Sequence, residues 1–138
     1  MTERSGNGHS DVRDAEAVRA TIATYLDWVR TGDAELWPLA FHPRATVVNA
    51  TRGDDTVAVW PIEDFVRGVA DLRARVGVVE ETVREIRVDV ARHVASVRLD
   101  YSLRLGDESS DGTDFFGLAR FGQRWLITHK HYDAERPL

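Results

Sequence analysis

The segment from Arg124 to Asp133 (RWLITHKHYD) concentrates groups that can move protons or bind ions. It holds two of the five histidines, His129 and His131, together with Lys130 and Tyr132. An inward-facing lysine can grip an anionic ligand group or, with a lowered pKa, act as a base or amine nucleophile. The bland reading is an ion pair with a nearby acid such as Asp114, or a snorkelling side chain at a cavity mouth. His129 and His131 stand two apart, so on a strand they project from one face, as two metal ligands would, or as a histidine base would if a slipped register turned them to the cavity. No third ligand lies beside them, and no metal is assigned. With no cysteine in the chain, a thiolate nucleophile and a Cys-type zinc site are excluded. Neither a Gly-rich phosphate loop nor a serine-nucleophile motif is present.

These groups need a scaffold. A chain of 138 residues with 43% hydrophobic residues fits one globular domain with room for a core and a cavity. A net charge of −5 argues against nucleic acid and anionic membranes as partners. No apolar run approaches the roughly twenty residues of a membrane span. The opening residues MTERSGNGHS lack an apolar signal core, so a cytoplasmic location is expected. Residues 1–10 read as a disordered tail and residues 11–138 as a single domain.

Val18, Ile22, Tyr25, Leu26 and Val29 recur at helical spacing, and Gly32 stops that helix. Asp33 caps a short second helix reaching about Ala40, which Pro43 ends. Ala45–Thr51 and Thr56–Trp60 read as strands around a turn at residues 52–55. Pro61 suits the first turn of a third helix, Ile62 to about Arg75, with Phe65, Val69 and Leu72 on one face. The period then changes to two. Strands are expected at about Glu85–Val90, Ser96–Leu105, Thr113–Phe121 and Arg124–Asp133, with a polar loop from Gly106 to Gly112. Glu80 with Glu81 and Arg73 with Arg75 read as ordinary charged surface. Helices first and a meander last mean α+β, with helices packed on one face of a curved sheet.

That order resembles the nuclear-transport-factor-like superfamily, the cone-shaped fold of ketosteroid isomerase, scytalone dehydratase and SnoaL-like cyclases. Tyr25, ahead of Gly32–Asp33, resembles its first-helix signature. Phe41–His42–Pro43–Arg44–Ala45 is similar to the "FHP-acid-A" stretch of the branch called putative lumazine-binding, with Arg44 where the pattern has an acid. Thr113–Asp114–Phe115 followed by Trp125 and Lys130 is similar to that branch's closing pattern. The resemblance spans about residues 15 to 133. It implies three amino-terminal helices on a mostly antiparallel sheet, and a cavity on the helix-covered face. It also places Tyr25 on an oxyanion-tyrosine position and His42 beside the cavity. The family's carboxylate positions fall on Asn49 and near Gly117, so isomerase chemistry in that form lacks its acids.

A last hairpin turning at Gly122–Gln123 sets Phe121 opposite Arg124 and Phe115 opposite Lys130. Phe115, Gly117, Ala119, Phe121, Leu126, Thr128, Lys130 and Tyr132 then share one face. Phe116, Leu118, Arg120, Trp125, Ile127, His129 and His131 share the other. Alignment with ketosteroid isomerase turns the first set inward, and a one-residue slip would exchange the two. Two readings result. One is a cofactor-free acid/base enzyme (dehydratase, cyclase or isomerase) acting on a small apolar or polyketide-like substrate. Its polar groups would be Tyr25, Lys130, His42 and Tyr132, its walls Trp28, Asn49, Trp60, Phe65, Tyr101, Phe115, Thr128 and His129. The other is a non-catalytic ligand-binding or assembly module. Apolar Phe116, Leu118, Trp125 and Ile127 on the outer face predict a homodimer.

Overall fold

A computed structural model describes the backbone of residues 4–50 and 57–134, and side chains from Val12 onward. The chain runs α1 (Arg4–Thr31), α2 (Trp37–Ala40), β1 (Phe41–Asn49), β2 (Ala58–Pro61) and α3 (Ile62–Val76). It continues through β3 (Val79–Val90), β4 (Val94–Leu105), β5 (Glu108–Phe121) and β6 (Arg124–Ala134). The six strands form one sheet in the order β2-β1-β6-β5-β4-β3, with β1 and β6 parallel and every other pair antiparallel. The helices cover one face of this α+β fold. Among the described residues, no helix is long and apolar enough to cross a membrane.

Val18, Ile22, Tyr25 and Val29 bury the expected face of α1, while Leu26 is only partly buried and Trp28 joins the core beside them. Thr21 Oγ1 donates to the Trp125 carbonyl at 2.7 Å, and Trp125 Nε1 donates to Asp14 Oδ1 at 3.3 Å, fastening α1 to β6. Gly32 ends α1 at φ 72°, and a Cβ there would lie 2.7 Å from Arg73 Nε. The absence of a side chain lets the Arg73 guanidinium close over the helix end and donate to the carbonyls of Val29 and Arg30.

Several boundaries differ from expectation. The backbone of residues 4–10, expected as a tail, is helical; lengthening an existing helix needs no new nucleus. β1 starts at Phe41 rather than Ala45, because a register shift between Phe41 and Thr46 lets the segment around Pro43 stay beside β6. β3 starts at Val79, and β5 at Glu108 inside the expected polar loop. In both, ladder pairing with β4 holds polar residues extended. β2 begins at Ala58, while Thr51, the expected turn at residues 52–55 and Thr56 lie outside the described residues.

The β5–β6 hairpin turns at Gly122–Gln123 as expected, with Phe121 opposite Arg124 and Leu118 opposite Ile127. The register then shifts, so that Gly117 faces His129, Phe116 faces Lys130 and Asp114 faces Tyr132. Thr128 is the extra residue of a bulge, and its hydroxyl donates to the Gly117 carbonyl at 3.2 Å. The bulge changes the strand's parity. Trp125 and Ile127 before it share the helix-covered face with Lys130 and Tyr132 after it, and all four are buried. Phe116 and Leu118 are also buried in the core, which corrects their expected outward placement and removes the four residues that motivated a dimer face.

Candidate functional site

Lys130, the only lysine in the chain, is 2% exposed and lies on the inner face of β6. Its Nζ sits 3.1 Å from Oδ1 of Asp114, itself fully buried on β5. Four rings surround the ammonium: Tyr132 at 4.1 Å, Phe65 at 5.0 Å, Tyr25 at 5.5 Å and Phe116 at 6.0 Å from their centroids. A buried ammonium is costly without such partners, and ring faces and a carboxylate together offset the loss of water. The ion pair with Asp114 that the sequence suggested is present.

A second carboxyl completes the cluster. Tyr25 on α1 donates its hydroxyl proton to Glu81 Oε1 on β3 at 2.8 Å. Glu81 as a residue is partly exposed, yet its Oε2 is inaccessible. Had both acids ionised, Glu81 Oε2 and the two oxygens of Asp114 would lack any hydrogen-bond donor, since Lys130 meets Asp114 off the hydrogen-bonding line. One proton held between the two acids engages Glu81 Oε2 and one Asp114 oxygen, and the Lys130 ammonium 3.1 Å from Oδ1 offsets the remaining charge. Burial, then the charge of Asp114, pushes the Glu81 carboxyl well above the ordinary carboxylate range, against the opposing pull of Lys130 and Tyr25. Burial raises the Asp114 carboxyl above its ordinary range as well, with the charge of Lys130 and the hydrogen bond from Glu81 opposing the rise. The two acids act as one pair, and the Lys130 ammonium 3.1 Å from Asp114 Oδ1 draws negative charge to Asp114 and the shared proton toward Glu81.

Two adjoining cavities lie here, and the inner one meets this cluster. The outer one is a cleft of about 230 Å³ beneath α3, walled by Trp60, Phe65, Val69, Leu72 and Tyr132, with Asp64 and Arg75 also among its lining residues. The inner one is a chamber of about 40 Å³ that Tyr25, Glu81, Tyr101 and Lys130 line. Phe65, Val69, Leu72 and Tyr132 border both, so they form the partition. The chamber has room for one water-sized group and polar atoms to hold it. Asn49, opposite Tyr132 on β1, hydrogen-bonds its hydroxyl. Burial and the charge of Asp114 push the Tyr132 pKa up to about 12, so its hydroxyl stays protonated. Tyr101 is raised as well, by burial first.

Of the residues singled out from sequence, Tyr25, Lys130, Tyr132, Trp60, Phe65 and Tyr101 line these two spaces, and Asn49 joins them through Tyr132. Trp28 packs behind them, 6.1 Å from both Tyr25 and Phe65 between ring centroids. Others fall elsewhere. His42 stacks on Phe121 at 4.7 Å and accepts the Arg44 backbone N–H on Nδ1 at 3.0 Å, a structural role. Phe115 is 48% exposed on the outer face under the Arg98 guanidinium, because the bulge turns it away from Lys130. Thr128 is taken up by the bulge and lines neither space. His129 lies on the outer side, where its Nδ1 meets Thr46 Oγ1 at 2.9 Å and its Nε2 meets His131 Nε2 at 3.0 Å. Burial, then His131, lowers its pKa. Among the described residues, no group of three or more His, Asp or Glu is placed to hold a metal ion.

Glu81 was missed as a site residue, having read as charged surface. The signal was its alternation with Val79 and Val83, which a shift between Val83 and Glu85 separates from the regular Ile86–Val90 pattern.

Residues 13–133 match the family described as putative lumazine-binding. Solved structures share the fold. An NTF2-like protein of unknown function from Shewanella baltica is 21% identical, with 91% of this chain and 97% of that one covered and a TM-score of 0.74. A Mycobacterium tuberculosis protein of unknown function is 20% identical over 94% and 76% of the two chains, with a TM-score of 0.73. A Streptomyces avermitilis protein described as a putative dehydratase of the NTF2-like family is 16% identical over 92% and 99%, also at 0.73. At these identities the likeness is one of fold. No curated protein matches the chain.

Proposed function

The chain belongs to the putative lumazine-binding family, and on that premise we propose that it is a cofactor-free acid/base enzyme, a dehydratase, cyclase or isomerase. Its substrate is small and mostly apolar. The observation that carries this reading is the Glu81 carboxyl, raised by burial, lining a water-sized chamber with the Lys130 ammonium, next to an apolar cleft. The substrate body occupies the cleft, and its reacting oxygen reaches past Phe65 and Tyr132 into the chamber. Lys130 faces that oxygen with N–H donors that Asp114 does not use, and stabilises negative charge developing on it. In a dehydration, Glu81 protonates the departing hydroxyl, which leaves as water, and the carboxylate formed takes a proton from the adjacent carbon. In an isomerisation the same residue gives and recovers one proton. Either way Glu81 ends as it began, with Tyr25 donating to its carboxylate in between. The Streptomyces relative described as a putative dehydratase is consistent with this reaction class.

One observation favours a non-catalytic ligand-binding module instead: Asn49, which cannot act as a base, occupies the position beside Tyr132. Deuterium exchange separates the two. With 2-tetralone in D₂O, the wild-type protein should speed exchange of the ring protons next to the carbonyl. Glu81→Gln should cut that rate by about a hundredfold or more while leaving tetralone bound. Binding without exchange would favour the module, and exchange unaffected by the substitution would remove Glu81 from the chemistry.

A homodimer through the outer sheet face stays part of the proposal, now on Val94, Phe115 and Phe121, which are exposed there. Phe115→Asp should convert it to monomer in sedimentation, and a wild-type monomer at micromolar concentration would end the idea.

A further inference from the structure

We infer that the cleft beneath α3 takes a flat ring carrying a carboxylate, with the carboxylate at Arg75 and a neutral oxygen at the deep end. The inference rests on the ligand-binding reading above and names its ligand class.

Three features define the ligand. The first is shape. Trp60 and Phe65 lie 6.3 Å apart between centroids at an interplanar angle of 34°, and Phe65 and Tyr132 lie 6.0 Å apart. Such rings offer faces and edges to a planar guest. The cleft's volume of about 230 Å³ lies below the roughly 300–1,000 Å³ of sites that hold drug-sized molecules, so one or two fused rings suit it.

The second is charge. Asp64 and Arg75 are the two ionised side chains lining the cleft. Asp64 is paired with Arg67, one turn along the same helix. Arg75 has no hydrogen bond or ion pair among the described residues, and its guanidinium presents a fork suited to a carboxylate. Its place in the last turn of α3 favours a cation there but supplies no counter-ion. At the other end, Asp114 already neutralises Lys130, so the deep end does not call for a second anion. A hydroxyl or carbonyl suits it.

The third is space left open in the wall. Gly68 lines the cleft from the middle of α3, and a Cβ added there meets nothing within 4 Å. A larger residue at this position would occupy the cleft and at the same time improve helix propensity.

The test measures quenching of tryptophan fluorescence by 2-naphthoate and by its neutral isostere 2-naphthamide at low salt. Wild-type protein should bind naphthoate about fivefold more tightly than naphthamide. Arg75→Gln should erase that preference by weakening naphthoate alone, and Gly68→Leu should abolish both while the protein stays as stable as wild type. Equal binding of the two probes, with Arg75→Gln without effect and Gly68→Leu still blocking, would overturn the carboxylate and leave the cleft intact. No binding of either probe to wild type would overturn the carboxylate inference and the cleft reading together.

Discussion

Glu81 is the residue at the centre of the site, and its raised pKa couples the site to stability. Its pKa in the folded protein is raised, so the folded chain holds a proton that the unfolded chain releases above about pH 4.3. Between that value and the folded pKa the unfolded state binds fewer protons, and stability falls as pH rises. Urea unfolding from pH 4 to 8 should show this decline in wild type and a shallower one in Glu81→Gln; parallel curves would contradict it. Lys130 carries the complementary prediction. Lys130→Met strands Asp114 without a cation and should cost about 3–5 kcal/mol, whereas Lys130→Met with Asp114→Leu should recover much of that loss. Equal losses for the two variants by denaturant unfolding would mean the ion pair is not what holds Asp114 in place. At this scale the sequence was half legible. The Lys130–Asp114 pair could be named from spacing, but Glu81 could not, because an acid beside another acid looks like surface until the partner strand is known.

At the scale of elements, the bulge at Thr128 decides which side chains reach the site. Hairpin counting from Gly122–Gln123 places every pair correctly up to Leu118 and Ile127, and every pair beyond one residue out. Lys130 and Tyr132 were expected inward and are inward, while Trp125 and Ile127 were expected outward and are buried with them. Nothing in RWLITHKHYD marks the extra residue, because a bulge is set by what packs on both sides of it. Deleting Thr128 restores a regular ladder and drives either Trp125 and Ile127 or Lys130 and Tyr132 out of the core. The deletion variant should lose cooperative thermal unfolding; a sharp transition near the wild-type midpoint would show the bulge to be dispensable. The β4–β5 ladder carries a second constraint. A Cβ on Gly112 would lie 2.3 Å from the Tyr101 hydroxyl oxygen, so Gly112→Ala should cost about 1–3 kcal/mol by forcing Tyr101 from its place. A neutral result in calorimetry would mean that the ring moves freely.

For the whole molecule, the order of helices and strands was legible because periodicities of 3.6 and 2 follow from backbone geometry alone. Where strands pair was not, and the site depends on pairing. Tyr25 comes from α1, Glu81 from β3 and Lys130 from β6, and only the packing of helices on the sheet brings them around one chamber, with Asp114 of β5 behind Lys130. The same arrangement buries both acids, and that burial raises the pKa of each. The most direct measurement is therefore isotope-edited infrared difference spectroscopy of the carboxyl groups at neutral pH, comparing wild type with Glu81→Gln. A protonated-carboxyl C=O band that is present in wild type and missing from the variant is the predicted result. A wild-type spectrum with carboxylate bands alone, or a protonated band that survives the substitution, would contradict it.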